Sequence, residues 1–167
     1  MQLCLMTAQI ANGGYKINPK IILEQDSKRT FNNQFKPLFK NSRNVKIIQE
    51  AMFSSTNEVF GTSYKSRIDD PKYQFAGKTG TAQVKKITEA ERELDLETSQ
   101  IPYEQRDHAL YVAFGPYKNP RYAVSIIIEH GGSGSTTAAP IAKKLFKLLI
   151  DRHEIREQSK QRKYLDI

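Results

Sequence analysis

The chain has 167 residues and a single cysteine, Cys4, so it is long enough for one domain and cannot form an intramolecular disulfide or a cysteine-based metal site. Its hydrophobic fraction of 38% suffices for a modest core and argues against wholesale disorder. The net charge of +8 attracts polyanions without a specific site. Because no zinc-finger spacing or aromatic RNA-binding signature accompanies that charge, nucleic acid is not an expected partner, and a basic nucleic-acid binder is the least favoured alternative.

The N-terminal stretch over residues 1–6 is apolar but lacks the basic lead-in and the cleavage site of a signal peptide. The sequence also has no run of about 18 apolar residues, which a membrane-spanning helix would need. We therefore expect that the chain, if expressed as it stands, remains in the cytoplasm.

Two helices are predicted in the N-terminal half. Leu3, Met6 and Ile10 form an apolar stripe at helical spacing over residues 2–12. Asn12-Gly13-Gly14 ends that helix, because glycine adopts the left-handed conformation without a Cβ penalty. Residues 15–23 are predicted to be extended, and residues 24–44 are predicted to be mostly loop. A short helix is predicted over residues 45–53.

Three strands and one helix are predicted in the C-terminal half. The first strand covers residues 73–84 and precedes a charged excursion, helical or mobile, over residues 85–107. Apolar runs over residues 108–117 and 121–130, joined by a short turn at Lys118-Asn119-Pro120, predict an antiparallel hairpin. An amphipathic helix follows, with its apolar stripe at Ala138, Ile141, Ala142, Leu145, Leu148 and Leu149.

This order of elements predicts an α+β fold, in which helices pack on an antiparallel sheet. We expect residues 1–153 to form one structural unit and the polar residues 154–167 to form a frayed tail. No internal repeat divides the chain further.

The stretch that says most about function is Lys78-Thr79-Gly80-Thr81, inside the first predicted strand. On an edge strand, Lys78 and Gly80 would share one face and the two threonines the other. Lysine supplies a positive charge, threonine hydroxyls can donate to a carboxylate, and glycine lets an extended ligand lie against the backbone. A backbone N–H there could also stabilise an oxyanion. The triplet Lys-Thr-Gly alone is a weak signal, and the alternative is an ordinary lysine on a strand edge.

A longer set of segments resembles one family. Lys-Thr-Gly is the third motif of penicillin-binding proteins and class A β-lactamases. The sequence around it resembles the elongation-type class B enzymes called penicillin-binding protein 2. The resembling segments run in order through most of residues 2–150: Gln2 to Gly14, Gly61-Thr62-Ser63, Phe75 to Val84, Asp107-His108-Ala109, Ala113 to Pro120, and Glu129 to Gly134. By this resemblance the chain is identified as the C-terminal part of such a transpeptidase domain, with a partial penicillin-binding transpeptidase fold.

The resemblance implies an activity and a set of ligands. In that family a serine attacks the D-Ala-D-Ala carbonyl of a peptidoglycan stem peptide, and the acyl group passes to an amino group of another strand. β-Lactams acylate the same serine. The resemblance implies that Lys78 contributes positive charge, that Thr79 and Thr81 contact the terminal carboxylate, and that Gly80 keeps the strand clear. It also implies that the Thr81 N–H completes the oxyanion hole. Stem peptide and β-lactams are thus the implied ligands, and no cofactor or metal site is expected.

The sequence departs from the family at the nucleophile. A serine needs a neighbouring base to become reactive, and the family supplies one through Ser-x-x-Lys. No serine in this chain has lysine three positions later. Ser42-Arg43-Asn44 and Ser55-Thr56-Asn57 match the family's second motif, Ser-x-Asn, but both are interpreted as chance matches because that motif lies much farther upstream in the family. No catalytic residue is assigned, and the chain alone is expected not to catalyse acylation.

Two functional hypotheses remain open. The first is a fragment of a peptidoglycan D,D-transpeptidase, either excised or the downstream half of a split or decayed gene. The second is a non-catalytic module that associates with a separately encoded N-terminal half of the same enzyme. In both cases the sheet would lack neighbours along an edge and a face, so a low stability of the chain alone is expected.

His108 is the one histidine at the start of a predicted strand. Its distance in sequence from His130 and His153 matches no metal-ligand spacing. A structural hydrogen-bonding role is therefore expected for His108.

Overall fold

The first helix, α1, and the turn that ends it form as the sequence predicts. A computed structural model of the chain describes residues 1–20, 36–86 and 96–165, and side chains as far as residue 159. Helix α1 spans Gln2–Ala11. It ends because Gly13 and Gly14 have φ of 91° and 90°, a region that side-chain-bearing residues rarely adopt.

The second helix, α2, is longer than the predicted segment 45–53 and spans Ser42–Asn57. It starts earlier because the Asn41 side chain accepts a hydrogen bond from the Arg43 N–H at 2.9 Å, which satisfies one free donor of the first turn. At its other end the Asn57 side-chain amide donates to the backbone carbonyl of Phe75 at 2.9 Å. That bond ties the end of α2 to the residue before the first strand.

The three predicted strands form one antiparallel sheet in the order β1-β2-β3. Their bounds are Ala76–Ala82 for β1, His108–Gly115 for β2 and Tyr122–Ile128 for β3. Strands β2 and β3 pair directly, as the predicted hairpin requires. The last element begins with a turn of π-helix at Gly134–Ala138 and continues as α3, Ala139–Leu165.

Helices cover both faces of this sheet. Successive side chains of a strand point to opposite faces, so each face presents side chains on which a helix can pack. One face carries the β2 residues Ala109, Tyr111 and Ala113, which pack with Phe75 and with Phe146 of α3 in the larger core. The opposite face carries the remaining small core: Met52 of α2, Ala76, Phe114 and the partly buried Ile10 and Ala11 of α1. The observed fold is therefore the predicted α+β arrangement of helices on an antiparallel sheet.

Several predicted segments are described only in part. The structure describes residues 15–20 of the predicted extended segment and residues 36–44 of the predicted loop. Of the charged excursion 85–107, it describes residues 85–86 and 96–107. The second of these stretches contains two short 3-10 turns, Thr98–Gln100 and Tyr103–Gln105.

Helix α3 continues to Leu165, past the boundary predicted at residue 153. The division into residues 1–153 and a tail of residues 154–167 stays a prediction. Across residues 1–20, 36–86 and 96–165, no helix combines the length and the apolar character that crossing a bilayer requires.

Candidate active-site strand

The four residues singled out in the sequence lie together on β1, which occupies one edge of the sheet within the described residues. Lys78 pairs with Val112 of β2, and Thr79 pairs with Tyr111. The alternation therefore places Lys78 and Gly80 on the face covered by α1 and α2. Thr79 and Thr81 stand on the other face, and within the described residues β1 pairs with β2 alone.

The Lys78 ammonium bends back along its own strand. Its Nζ lies 2.9 Å from the backbone oxygen of Thr79 and 3.3 Å from Thr79 Oγ1. Both oxygens accept, since an ammonium group can only donate. The lysine side chain is exposed. A positive charge and a hydroxyl group thus meet at an accessible strand edge.

A chain of hydroxyl groups continues from that point into α2. Thr79 Oγ1 lies 3.3 Å from Thr62 Oγ1, and Thr62 Oγ1 lies 3.1 Å from Ser55 Oγ. No site role is expected for Ser55 or Thr62 from the sequence. The sequence signal that points to Thr62 is the segment Gly61-Thr62-Ser63, which resembles the family but carries no assigned function.

A buried hydroxyl cluster anchors that segment beneath the strand. Tyr111 reaches from β2 and places its hydroxyl 2.9 Å from Thr56 Oγ1 and 3.0 Å from Ser63 Oγ. All three residues are at most 1% exposed. Burial raises the pKa of the Tyr111 hydroxyl, and the hydrogen bonds with Ser63 and Thr56 partly offset that rise, so the group remains a neutral donor and acceptor.

The glycines around β1 are places of close approach. A Cβ at Gly77 would lie 2.2 Å from the Tyr111 hydroxyl oxygen, so the tyrosine crosses the strand only because this residue has no side chain. A Cβ at Gly134 would lie 2.7 Å from the Gly80 carbonyl oxygen. The turn before α3 therefore packs directly on the backbone of the Lys-Thr-Gly strand.

A cleft of about 630 Å³ opens beside Lys78. Its walls come from α1, from α2, from the loop at residues 60–62 and from the sheet face at Val112. Several of its apolar side chains are exposed: Met6 is 44% exposed, Ile48 41% and Phe60 82%. The polar residues Ser55, Thr62 and Lys78 also line it. The Lys-Thr-Gly strand thus borders a largely apolar hollow.

Two further sequence expectations can be placed. Ser55-Thr56-Asn57 lies at the end of α2, where the Asn57 amide binds the backbone carbonyls of Phe53 and Phe75. The interpretation of Ser55-Thr56-Asn57 as a chance match stays a prediction. His108 accepts a hydrogen bond at Nδ1 from the backbone N–H of His130 at 2.9 Å, so its predicted structural role is confirmed.

This arrangement can bind an anion, and within the described residues the serine hydroxyls of Ser55 and Ser63 hydrogen-bond to neutral groups. The Ser55 hydroxyl bonds to Thr62, and the Ser63 hydroxyl donates to the Ser55 backbone oxygen at 3.0 Å. A serine nucleophile instead needs a basic partner within hydrogen-bond reach. Among the residues that the structure describes, no group of three or more His, Cys, Asp or Glu could hold a metal ion.

Comparison with curated proteins finds relatives named peptidoglycan D,D-transpeptidase MrdA. It is 33% identical over 158 residues to peptidoglycan D,D-transpeptidase MrdA of Salmonella typhimurium, a match that covers 90% of this chain and 25% of the relative. It is 34% identical over 152 residues to MrdA of Acinetobacter baumannii, covering 87% of this chain and 21% of the relative. The chain therefore spans about a quarter of the length of these relatives.

Solved structures and a family model agree with those relatives. The complex between penicillin-binding protein PBP2 and MreC from Helicobacter pylori matches with a TM-score of 0.67 at 27% identity, covering 88% of this chain and 24% of that one. PBP2 of Pseudomonas aeruginosa in complex with WCK 5153 matches with a TM-score of 0.63 at 29% identity, covering 89% and 29%. The family model described as the penicillin binding protein transpeptidase domain matches residues 1–147. The chain therefore belongs to the penicillin-binding protein transpeptidase family and corresponds to part of such a domain.

Proposed function

We propose that this chain carries the substrate-binding strand of a peptidoglycan D,D-transpeptidase and that it holds the terminal carboxylate of a stem peptide or a β-lactam. The observation that carries the proposal is the meeting of the exposed Lys78 ammonium and the Thr79 hydroxyl on β1, an edge strand of the sheet within the described residues. An ammonium and a hydroxyl at an edge strand supply charge and directed donors to a carboxylate. Gly80 leaves room for an extended ligand, and Thr81 adds a second exposed hydroxyl.

The catalytic serine is proposed to lie outside this chain. No serine of the sequence has a lysine three positions later. The hydroxyls of Ser55 and Ser63 are already bonded to neutral groups. Incubation with a fluorescent penicillin followed by intact-mass measurement should therefore give no covalent adduct. A stoichiometric acyl adduct would show that one of these serines is activated.

Binding to the strand is tested without acylation. A peptide ending in D-Ala-D-Ala should shift the amide resonances of residues 78–81 in an NMR titration, and the same peptide with an amidated C-terminus should not. Lys78→Met keeps most of the length of the side chain but removes its charge, so it should weaken binding by about tenfold or more. Lys144→Met, at an exposed lysine of α3, is the matched control and should leave binding unchanged. Equal affinity of the free and amidated peptides would refute a carboxylate site.

The cleft beside Lys78 favours a second candidate, a non-catalytic module that completes a transpeptidase together with a separate polypeptide. Exposed apolar surface of this kind marks an interaction site. The relatives extend well beyond the quarter that this chain matches. The remainder of a transpeptidase domain is therefore the proposed occupant.

Reconstitution tests this second candidate. Salmonella MrdA lacking the matched quarter is mixed with the chain, and penicillin acylation of the mixture is measured. Ile48→Asp, in the cleft, should abolish any gain in acylation, whereas Ile47→Asp, on the neighbouring residue outside the cleft lining and 54% exposed, should not. If both variants act alike, association does not use the cleft.

A further inference from the structure

The hydroxyl group of Thr79 has its donor and acceptor roles limited by its neighbours. Lys78 Nζ lies 3.3 Å from Thr79 Oγ1, and an ammonium cannot accept, so Thr79 accepts from the lysine. The proton of Thr79 must therefore point elsewhere. Thr62 Oγ1, at 3.3 Å, lies in position to receive it in the absence of a ligand.

Thr62 is held in place by its backbone although its side chain is exposed. The Gly61 N–H donates to the Glu58 carbonyl at 2.8 Å, and the Ser63 N–H donates to the Ser55 carbonyl at 3.0 Å. A Cβ at Gly61 would lie 2.4 Å from that same Ser55 oxygen, so the segment is seated tightly on the end of α2. Ser63, the residue after Thr62, is held by the contact of its buried hydroxyl with the Tyr111 hydroxyl. The position of the Thr62 hydroxyl is thus determined by the fold.

We propose that Thr62 is a positioning residue that turns the Thr79 hydroxyl toward an anionic ligand through the chain Ser55–Thr62–Thr79. The proposal rests on the proposed function, since it assigns Thr79 to a bound carboxylate. A hydroxyl has one proton and two lone pairs, so each member of the chain can reverse its direction. When Thr79 donates to the carboxylate, Thr62 donates to the second lone pair of Thr79, and Ser55 donates to Thr62. Donors aligned in one direction strengthen one another.

Both contacts in the series Ser55–Thr62–Thr79 are long for hydrogen bonds between hydroxyl groups. The two O···O distances are 3.3 and 3.1 Å, longer than the roughly 2.7–2.8 Å typical of O–H···O bonds. Hydrogen bonds of active sites tighten when the ligand arrives. The buried cluster of Thr56, Ser63 and Tyr111 contains contacts of 2.9, 3.0 and 3.3 Å. The cluster is buried, whereas Ser55, Thr62 and Thr79 are each at least partly open to solvent, so these three hydroxyl groups are the ones that a ligand can reach.

Thr62→Val, which keeps the shape and removes the hydroxyl, tests this role, with Thr62→Ser as the control that keeps the hydroxyl. The three-bond couplings that report the χ1 angle of Thr79 are measured by NMR in the free chain. They should indicate one rotamer in the unmodified chain and in Thr62→Ser, and averaging in Thr62→Val. The affinity for a D-Ala-D-Ala peptide should fall about three- to tenfold in Thr62→Val, the value of one hydrogen bond, and recover in Thr62→Ser.

Unchanged Thr79 couplings in Thr62→Val would overturn the proposal, as would equal changes in Thr62→Val and Thr62→Ser, since the methyl group would then be responsible. Ser55→Ala breaks the next link and keeps the backbone carbonyl that Ser63 uses, so it decides the question if Thr62→Val does not fold. Ser55→Ala should also average the Thr79 couplings. Unchanged couplings in this variant would contradict the proposed series of hydroxyl groups Ser55–Thr62–Thr79. If the unmodified chain binds no peptide, the proposed function fails, whereas the couplings of the free chain still decide the role of Thr62.

Discussion

Gly77 allows Tyr111 to cross β1, and adding one methyl group there should be costly. In Gly77→Ala the new Cβ would lie 2.2 Å from the Tyr111 hydroxyl oxygen and 2.4 Å from the ring carbon that bears it. Ordinary contact begins at 3.4 Å, so the ring has to move by about 1 Å. Such a movement takes the hydroxyl out of reach of Thr56 and Ser63, which now lie 2.9 and 3.0 Å away.

The expected loss of stability combines two effects. Overpacking a filled core costs about 1–3 kcal/mol, and each lost hydrogen bond costs about 0.5–1.5 kcal/mol. The free energy of unfolding should therefore fall by about 2–6 kcal/mol, a large share of the total for a small domain. The measurement is urea denaturation followed by far-UV circular dichroism.

Gly80→Ala is the matched control on the same strand. Its Cβ would meet Leu110 Cβ at 3.3 Å, a contact that a shift of a few tenths of an ångström relieves. We expect its free energy of unfolding to stay within about 1 kcal/mol of the unmodified chain. Tyr111→Phe removes only the hydroxyl, so Gly77→Ala should cost less in that background than alone. Equal losses for Gly77→Ala and Gly80→Ala would refute the crossing of Tyr111 as the reason for the glycine.

Two further predictions concern the packing on either side of the larger core. Gly134→Ala places a Cβ 2.4 Å from the Leu110 carbonyl oxygen, so the free energy of unfolding should fall by about 1–3 kcal/mol. Amide exchange at Gly80 should become faster, and unchanged exchange would contradict the packing of the turn before α3 on the Gly80 backbone. The Tyr73 hydroxyl, 2.5 Å from Asp151, and the Lys72 ammonium lower the pKa of the Asp151 carboxyl below its ordinary value of 3.8. A carboxylate whose pKa is lowered by folding stabilises the folded state above the ordinary value, and this contribution is lost as the pH falls through the lowered pKa. Asp151→Asn should therefore flatten the acid limb of a stability-against-pH curve below about pH 4, and an unchanged limb would show that this contact contributes nothing.

Local patterns determined much of the secondary structure. The helix over residues 2–12, the hairpin of β2 and β3 and the strand that holds Lys-Thr-Gly were all predictable, because periodicity, glycine and turn residues act over a few positions. The length of α2 was underestimated because its start depends on the Asn41 cap rather than on apolar spacing. Helix α3 likewise outlasts its apolar stripe, since the residues that follow, rich in Arg, Glu, Gln and Lys, are good helix formers.

The sequence by itself predicted which residues form the candidate site and showed that no Ser-x-x-Lys motif accompanies them. Lys78, Thr79, Gly80 and Thr81 are contiguous, so their placement on one strand required no tertiary information. The lack of a Ser-x-x-Lys motif is also visible in the sequence alone. Only the tertiary structure brought Thr62 to Thr79 across 17 residues and Tyr111 to Thr56 across 55. These contacts arise from the packing of α2 and the residues after it against β1, and no local pattern encodes them, because hydroxyl groups far apart in sequence meet only where the backbone brings them together.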